Sequence, residues 1–437
     1  MKKNFFAMFD YVMILLVLVL VSMGIMFIYS SSVNSEGISV TNEYIKQIIW
    51  ASIGLFIMLL VTVYDYRRIE SVSIYLYLFL LLLLVYTRIF GRYVNGAKSW
   101  IGIGEFGIQP SEFGKIFFIL FLARVLDESE FMSPLRRFAL ATGILLVPMG
   151  LILIQPDLGT ASVYVPIFLV MCFMAGIPIK LILYVLSFGI LTIFFAILPV
   201  WNNEIASTPH AVISILTTMR LRALLIGSIL VITLLGYVIR RYLHGPKYIY
   251  WITYVASIIT LSLIFSLLLG KFLKDYQIKR LIIFMNPNVD PLGAGWNIIQ
   301  SKVAIGAGGL MGQGYLMGTQ SHYRFLPQQS TDFIFSILSE EFGFTGGLVV
   351  FTIYFAILVK ILYVIRKCIN RYGTYICAGI LGMFSFHFFI NVGMVMGIMP
   401  ITGIPLQFLS YGGSSLLTAM TSIGLVMNVN CRKSDLK

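Results

Sequence analysis

Residues 11–30, YVMILLVLVLVSMGIMFIYS, run for twenty positions without a single charge. Such a run leaves a chain few choices, because a helix of about 20 residues crosses the hydrocarbon core of a bilayer and satisfies its own backbone there. It is too long for a signal-peptide core and lacks a small-residue cleavage pattern, so it reads as a retained span. Comparable runs recur along the chain. Barrel strands are shorter and alternate in polarity, so bundled helices are expected. Composition agrees: of 437 residues, 59% are hydrophobic and 11% charged, and a mean hydropathy of +0.93 lies outside the range of soluble domains.

The pattern predicts an all-α polytopic membrane bundle of about twelve spans. They are placed near residues 11–30, 46–64, 73–90, 111–126, 137–155, 158–176, 179–199, 223–240, 248–270, 333–365, 374–398 and 404–429. The first part of 333–365 is open to being a separate half-helix. Short loops rich in Lys and Arg face the cytoplasm. With Lys2 and Lys3 inside, the even-numbered connections are the basic ones: Arg67 and Arg68, Arg136 and Arg137, Lys180, Arg240 with Arg241 and Lys247, Arg366 with Lys367 and Arg371, then Arg432 with Lys433. Both termini are therefore expected in the cytoplasm. The net charge of +13 is scattered in these clusters and forms no aromatic-interleaved stripe, so no nucleic-acid partner is expected. The four cysteines show neither a disulfide framework nor a CxxC metal pair.

One outer connection, residues 271–332, far exceeds the usual connection of about 4–6 residues. Its periodic apolar pattern in WNIIQSKVAI and its aromatics argue that it folds onto the bundle. Its cations (Lys271, Lys274, Lys279, Arg280, Lys302, Arg324) suit either the tolerance of long loops for charge or an anionic ligand at the outer leaflet. Within it, Asp290 precedes Pro291, which favours an extended backbone, and Gly293 and Gly295 permit a tight turn before a short amphipathic helix. Spacing by itself suits a turn-forming or capping aspartate as well as a presented carboxylate. The glycines of AIGAGGLMGQG lack GK[ST] and a preceding strand, so close backbone packing is the expected role.

Further charges fall inside or beside spans. Glu112 and Lys115 lie three apart in QPSEFGK and can pair on one helix face, either as a self-compensating pair or in contact with a substrate. In QPDLGT, Asp157 can cap the following helix. In STDFIFSILSEEFG, Ser330 or Thr331 precedes a helix expected to hold Asp332, Glu340 and Glu341; Asp332 suits the helix start, whereas the adjacent glutamates need partners or water. The segment GIMPITGIPLQFLSYGGSS reads as broken helix, which membranes tolerate where it lines a cavity. None of the four histidines has ligand spacing.

These stretches together resemble the SEDS family (shape, elongation, division and sporulation). The match rests on GAKSWIGIG with QPSEFGK, QPDLGTA, DPLGAGWNIIQSKVAIGAGGL, GTQS with FLP and TDFIF, and NVGMVMGIMPITGIPLQFLSYGGSS. GTQS followed by RFLPQQSTDFIFS looks like the elongation branch of that family. Family members have ten spans, so the resemblance implies an inserted helical pair at about 200–247 within a single membrane domain covering 1–437. It leaves the inside–outside parity of later motifs unchanged. Trp296 and Gln407 depart from the usual Tyr and Pro.

The resemblance implies a peptidoglycan glycosyltransferase of the bacterial cytoplasmic membrane that polymerises lipid II with inversion at the anomeric carbon during elongation. It implies an extracytoplasmic catalytic loop at 271–332. Asp290 matches the family's essential acid and would act as general base. Lys98, Trp100, Glu112, Lys115, Arg280, Gln300, Lys302, Arg324, Asp332 and Ser410 would bind substrate, with the cations Lys98, Lys115, Arg280, Lys302 and Arg324 receiving the leaving diphosphate. Expected partners are lipid II, a class B penicillin-binding protein, other membrane proteins of the elongation complex and membrane lipid. No cofactor is required by the pattern; a divalent cation such as Mg or Mn bridging the diphosphate is chemically compatible, though no acidic cluster is dedicated to one. The rival readings are a lipid II flippase and a non-catalytic scaffold.

Overall fold

Each apolar run closes its own backbone hydrogen bonds, and the computed structural model shows a helix in every one of the twelve predicted segments. It describes residues 9–94, 97–103, 106–204, 211–242, 246–272, 280, 283–291, 293 and 295–433. The chain divides into a larger unit, Met1–Ile177 with Asn297–Lys437, and a smaller one, Pro178–Trp296. In chain order the helices are α1 (Tyr11–Ser32), α2 (Glu43–Val63), α3 (Tyr66–Phe90), α4 (Pro110–Glu128), α5 (Pro134–Ile154), α6 (Leu158–Met174), α7 (Ile179–Glu204), α8 (Ala211–Thr217), α9 (Met219–Tyr242), α10 (Lys247–Phe272), α11 (Trp296–Gly308), α12 (Thr319–His322), α13 (Ile334–Lys367), α14 (Arg371–Val395) and α15 (Gly413–Cys431). Among the described residues, nine are long and apolar enough to cross a membrane: α1, α2, α3, α5, α7, α9, α10, α13 and α14.

Of the six helices outside that set, α4, α6 and α15 are shorter or more polar and are buried along much of their length. Polar groups at membrane depth are costly against lipid, so the polar helices take the middle of the larger unit. Glycine lets backbones approach there. On α15, a side chain at Gly424 would meet Met58 O at 2.7 Å and one at Gly413 would meet Trp50 Nε1 at 2.6 Å, which sets the contact with α2. The C-terminal carbonyls of α2 are capped by side chains: Asn428 Nδ2 donates to Val61 O at 2.6 Å and to Tyr64 O, and Arg432 donates to Val63 O at 2.6 Å. Asp10 caps α1 through Met13 N and pairs with Lys360 Nζ at 2.7 Å, tying α1 to α13.

Three expectations need correction. The connection after α3 is a three-stranded antiparallel sheet in the order β1 (Arg92–Val94), β2 (Ala97–Ile103), β3 (Phe106–Ile108), because its residues alternate at a two-residue period that a helix search passes over. The last span begins at Gly413, not near 404, since Pro400 and Pro405 supply no backbone N–H and Phe408 sits at φ +70°. Asp332 lies in a turn before α13, whose N-cap is Phe333 with no side-chain cap from Ser330 or Thr331. The half-helix left open for the first part of 333–365 is present: α13 is broken at Gly343 (φ 61°, ψ −157°), which makes 334–342 a distinct half-helix.

The break has a specific backbone solution. An unbroken helix would join Phe344 N to Glu340 O and Thr345 N to Glu341 O. Here Phe344 N donates to Gly309 O at 2.9 Å and Thr345 N to Leu310 O at 3.1 Å, while Gln313 N and Gly314 N donate to Glu340 O and Glu341 O at 3.0 and 2.9 Å. Two lost helical bonds become four bonds to residues 309–314. The glycine-rich run earlier read as a packing segment thus has a definite contact, since a Cβ on Gly343 would lie 2.7 Å from Leu310 O. Gly343→Ala should therefore cost at least the 1–3 kcal/mol or so of a glycine-only conformation, read as a lowered melting temperature with faster proteolysis between 309 and 332.

In the smaller unit α10 packs against both α7 and α9. Tyr184 OH donates to Ser257 Oγ at 3.2 Å and Ser262 Oγ to Phe188 O at 3.2 Å. The proposed insertion, 200–247, contains the end of α7, then α8 and α9. Lys274, Lys279 and the side chain of Lys271 lie outside the described residues.

Candidate functional site

In the larger unit the first turns of four helices are tied together. Gln109, just before α4, donates its backbone N–H to Ser414 Oγ on α15 at 3.0 Å and its side-chain amide to Asp157 Oδ2 at 2.6 Å. Asp157 is the N-cap of α6 and also accepts from Thr160 N and Thr160 Oγ. Burial pushes its carboxyl upward, and the two Thr160 donors pull it back. Gln47 on α2 donates to Ser410 O at 3.1 Å and accepts from Gly412 N at 3.3 Å. A Cβ on Gly159 would press on Thr402 O at 2.5 Å. Helix N-termini carry partial positive charge, so four of them gathered in one place favour an anion.

Beneath these turns lies a buried charged cluster. Lys115 Nζ is 2.7 Å from Glu112 Oε1, with side chains 0% and 5% exposed. Lys115 Nζ is also 3.1 Å from His387 Nε2, and His387 Nδ1 is 3.0 Å from Pro405 O. The carbonyl can only accept, so Nδ1 carries the hydrogen and Nε2 takes one from Lys115. Gln407 Nε2 approaches the same ring at 3.3 Å, and Gln407 O accepts from Tyr354 OH at 2.6 Å. Among the described residues Glu112 Oε2 and Gln407 Oε1 are buried without a partner. Buried polar atoms are normally satisfied, so the cluster has capacity for further hydrogen bonds from water or ligand.

The remaining predicted residues fall as follows. Ser410 Oγ accepts from Leu406 N at 2.9 Å and holds the non-helical turn. Asp332 O accepts from Asn391 Nδ2 at 2.9 Å, and the same amide reaches Ile404 O, joining Asp332 to that turn. Lys302 and Gln300 stand on α11, where the Lys302 stem lies against Gly397 and Ser301 Oγ donates to Val395 O at 2.7 Å. Arg324 is exposed at φ +56° beyond α12. Lys98 Nζ donates to Ile89 O at 2.7 Å at the end of α3, and Trp100 on β2 covers Gly107. The paired glutamates find partners: Glu340 accepts from Thr319 Oγ1, Gln320 N and Ser321 N, and Glu341 from Ser30 Oγ. Between the sheet, α3 and α4 runs an apolar groove of about 370 Å³ lined by Phe79, Leu83, Ile101, Ile108, Phe113 and Phe117.

Asp290 belongs to the smaller unit, as does the half-buried Arg280. It ends a short 3-10 turn (Pro287–Val289) at φ −140°, ψ 72°, the extended backbone expected before Pro291. Its carbonyl accepts from Gly293 N at 3.3 Å and Gly295 N at 3.0 Å. The glycines are needed for closeness and not for left-handed dihedrals: neither has positive φ, but a Cβ on Gly293 would strike the Asp290 carboxylate and one on Gly295 would lie 2.6 Å from Asp290 O. The turn thus holds the half-exposed carboxylate in place just before α11. Among the described residues no group of three or more His, Cys, Asp or Glu side chains gathers to hold a metal. No step is assigned to one.

Sequence reasoning missed His387, Gln407 and Gln109. His387 reaches Lys115 by a contact spanning 272 positions, which no local spacing encodes, and Gln407 joins through the His387 ring; for Gln109 the only local sign was its place beside the Pro110 that starts α4.

A multi-pass membrane protein with a buried polar cluster under converging helix ends is the class these observations define. The chain belongs to the family described as cell cycle protein FtsW/RodA/SpoVE, whose model matches residues 10–204 and 199–435. It is 55% identical over 425 residues to the peptidoglycan glycosyltransferase RodA of Treponema pallidum, covering 97% of this chain and 98% of that one. It is 31% identical over 437 residues to the peptidoglycan glycosyltransferase MrdB of Escherichia coli K12, covering 100% and 97%. A chain solved in work on polymerization and crosslinking by a peptidoglycan synthase complex shares the fold at a TM-score of 0.68 and 24% identity, covering 98% of each.

Proposed function

We propose that the chain is a peptidoglycan glycosyltransferase that polymerises lipid II, and the observation that carries this is the end-to-end match to relatives named as peptidoglycan glycosyltransferases. Transfer requires an acceptor hydroxyl to attack the donor's anomeric carbon as the lipid diphosphate leaves, inverting the linkage. Asp290 takes the hydroxyl proton as general base. The diphosphate needs positive charge, which Lys115, the gathered helix N-termini and the cations Lys98, Arg280, Lys302 and Arg324 supply. Glu112 orients Lys115, Trp100, Gln300, Asp332 and Ser410 complete the substrate contacts, and the apolar groove offers hydrocarbon surface to a lipid tail.

The positive-inside distribution supports cytoplasmic termini and an extracytoplasmic catalytic loop at 271–332. A class B penicillin-binding protein would cross-link the glycan, alongside other membrane proteins of the elongation complex. The test is polymerisation by the purified protein supplied with lipid II, with and without that partner, beside vesicles carrying labelled lipid II. Polymer of graded length is expected. Movement of label across the bilayer with no polymer under either condition would favour transport, and neither product would leave the scaffold reading.

A further inference from the structure

One end of the smaller unit gathers cations from two helices on an aromatic platform supplied by a third. Lys180, at the start of α7, holds its ammonium 5.3 Å from the Tyr250 ring centroid and 5.1 Å from that of Trp251, both on α10. Arg240, at the end of α9, stands 4.2 Å from the same Tyr250 ring. Tyr254 OH donates to Lys180 O at 2.5 Å, fixing the backbone beneath the ammonium. Arg241 and Lys247 flank the cluster at the adjoining helix ends. The only acidic residue between 178 and 274 is Glu204, at the far end of α7. Among the described residues none of the four cations pairs with a carboxylate.

Loop charge bias accounts for cations near a span end, but not for the convergence of Lys180 and Arg240, from two helices, on one ring of a third. A cation resting on an aromatic face keeps N–H groups at its edge for an anion. Trp251 is half-exposed, as are the apolar Leu234, Leu235 and Val238 on α9, which packs against α10, an arrangement suited to a ligand with a charged head and hydrocarbon chains. We propose that this end of α7, α9 and α10 is a binding site for an anionic phospholipid, its phosphate held between Lys180 and Arg240 and its chains lying along α9. The site gives the otherwise unassigned inserted helices a task independent of glycan transfer.

Native mass spectrometry of the full-length protein in micelles doped with phosphatidylglycerol or phosphatidylcholine tests this. Wild type is expected to retain phosphatidylglycerol selectively, and the combined Lys180→Gln, Arg240→Gln, Arg241→Gln variant to lose affinity on the order of 100-fold. Arg240→Lys should retain most binding, and Arg136→Gln with Arg366→Gln all of it. Should the triple variant melt early, Lys180→Gln alone with an unchanged melting curve carries the comparison. Equal retention of phosphatidylcholine, undiminished binding by the neutralised variant, or displacement by millimolar inorganic phosphate alone would overturn the proposal.

Discussion

Asp290→Asn is expected to lower glycan polymerisation by about 10²- to 10⁴-fold, the usual contribution of a positioned general base. Asparagine preserves the shape of the side chain and leaves the Asp290 carbonyl able to accept from Gly293 and Gly295, so the turn should survive. What disappears is the carboxylate's ability to take a proton. Polymer length and rate from lipid II, measured with the partner present and complex formation verified, would read the effect. Wild-type rates from a well-assembled variant would remove Asp290 from the chemistry and reduce it to a turn residue.

The second large effect concerns stability. Lys115→Met should destabilise the protein by about 3–5 kcal/mol, because Glu112 would be left charged in the interior with its cation gone. His387 Nε2 would lose a donor at the same time. Adding Glu112→Gln to Lys115→Met should restore much of the loss, since the stranded charge is removed. Thermal unfolding in detergent measures both steps. Activity should behave differently: the double variant recovers its fold but not its polymerisation, as the cation proposed to meet the diphosphate is still absent. Recovery of both together would make the pair purely architectural.

What could be read in the one-dimensional chain follows from the range of the forces involved. Spans were legible because twenty apolar residues in a row have one cheap solution in lipid. Asp157 was legible as a cap because a cap acts over three residues, and the structure has it accepting from Thr160 N. Its pairing with Gln109, the residue before α4, spans 48 positions and could not be read from local spacing. Glu340 and Glu341 announced a need for partners without naming them; Thr319, Gln320, Ser321 and Ser30 meet it. The small sheet did carry a signal, Asn95–Gly96 between short alternating segments. It was outweighed by the helical period on either side. Asp290 was singled out through family likeness alone, since an aspartate before proline is otherwise an ordinary turn former.

The exchange of backbone partners at Gly343 also bears on how the protein is made. A nascent half-helix ending there cannot enter hydrocarbon comfortably while four peptide groups lack mates. Its mates, residues 309–314, precede it in the chain and so leave the ribosome first. The hairpin of loop and half-helix should therefore close as one insertion step, and a truncated nascent chain that stops shortly before residue 345 should remain accessible to proteases until the missing amides arrive.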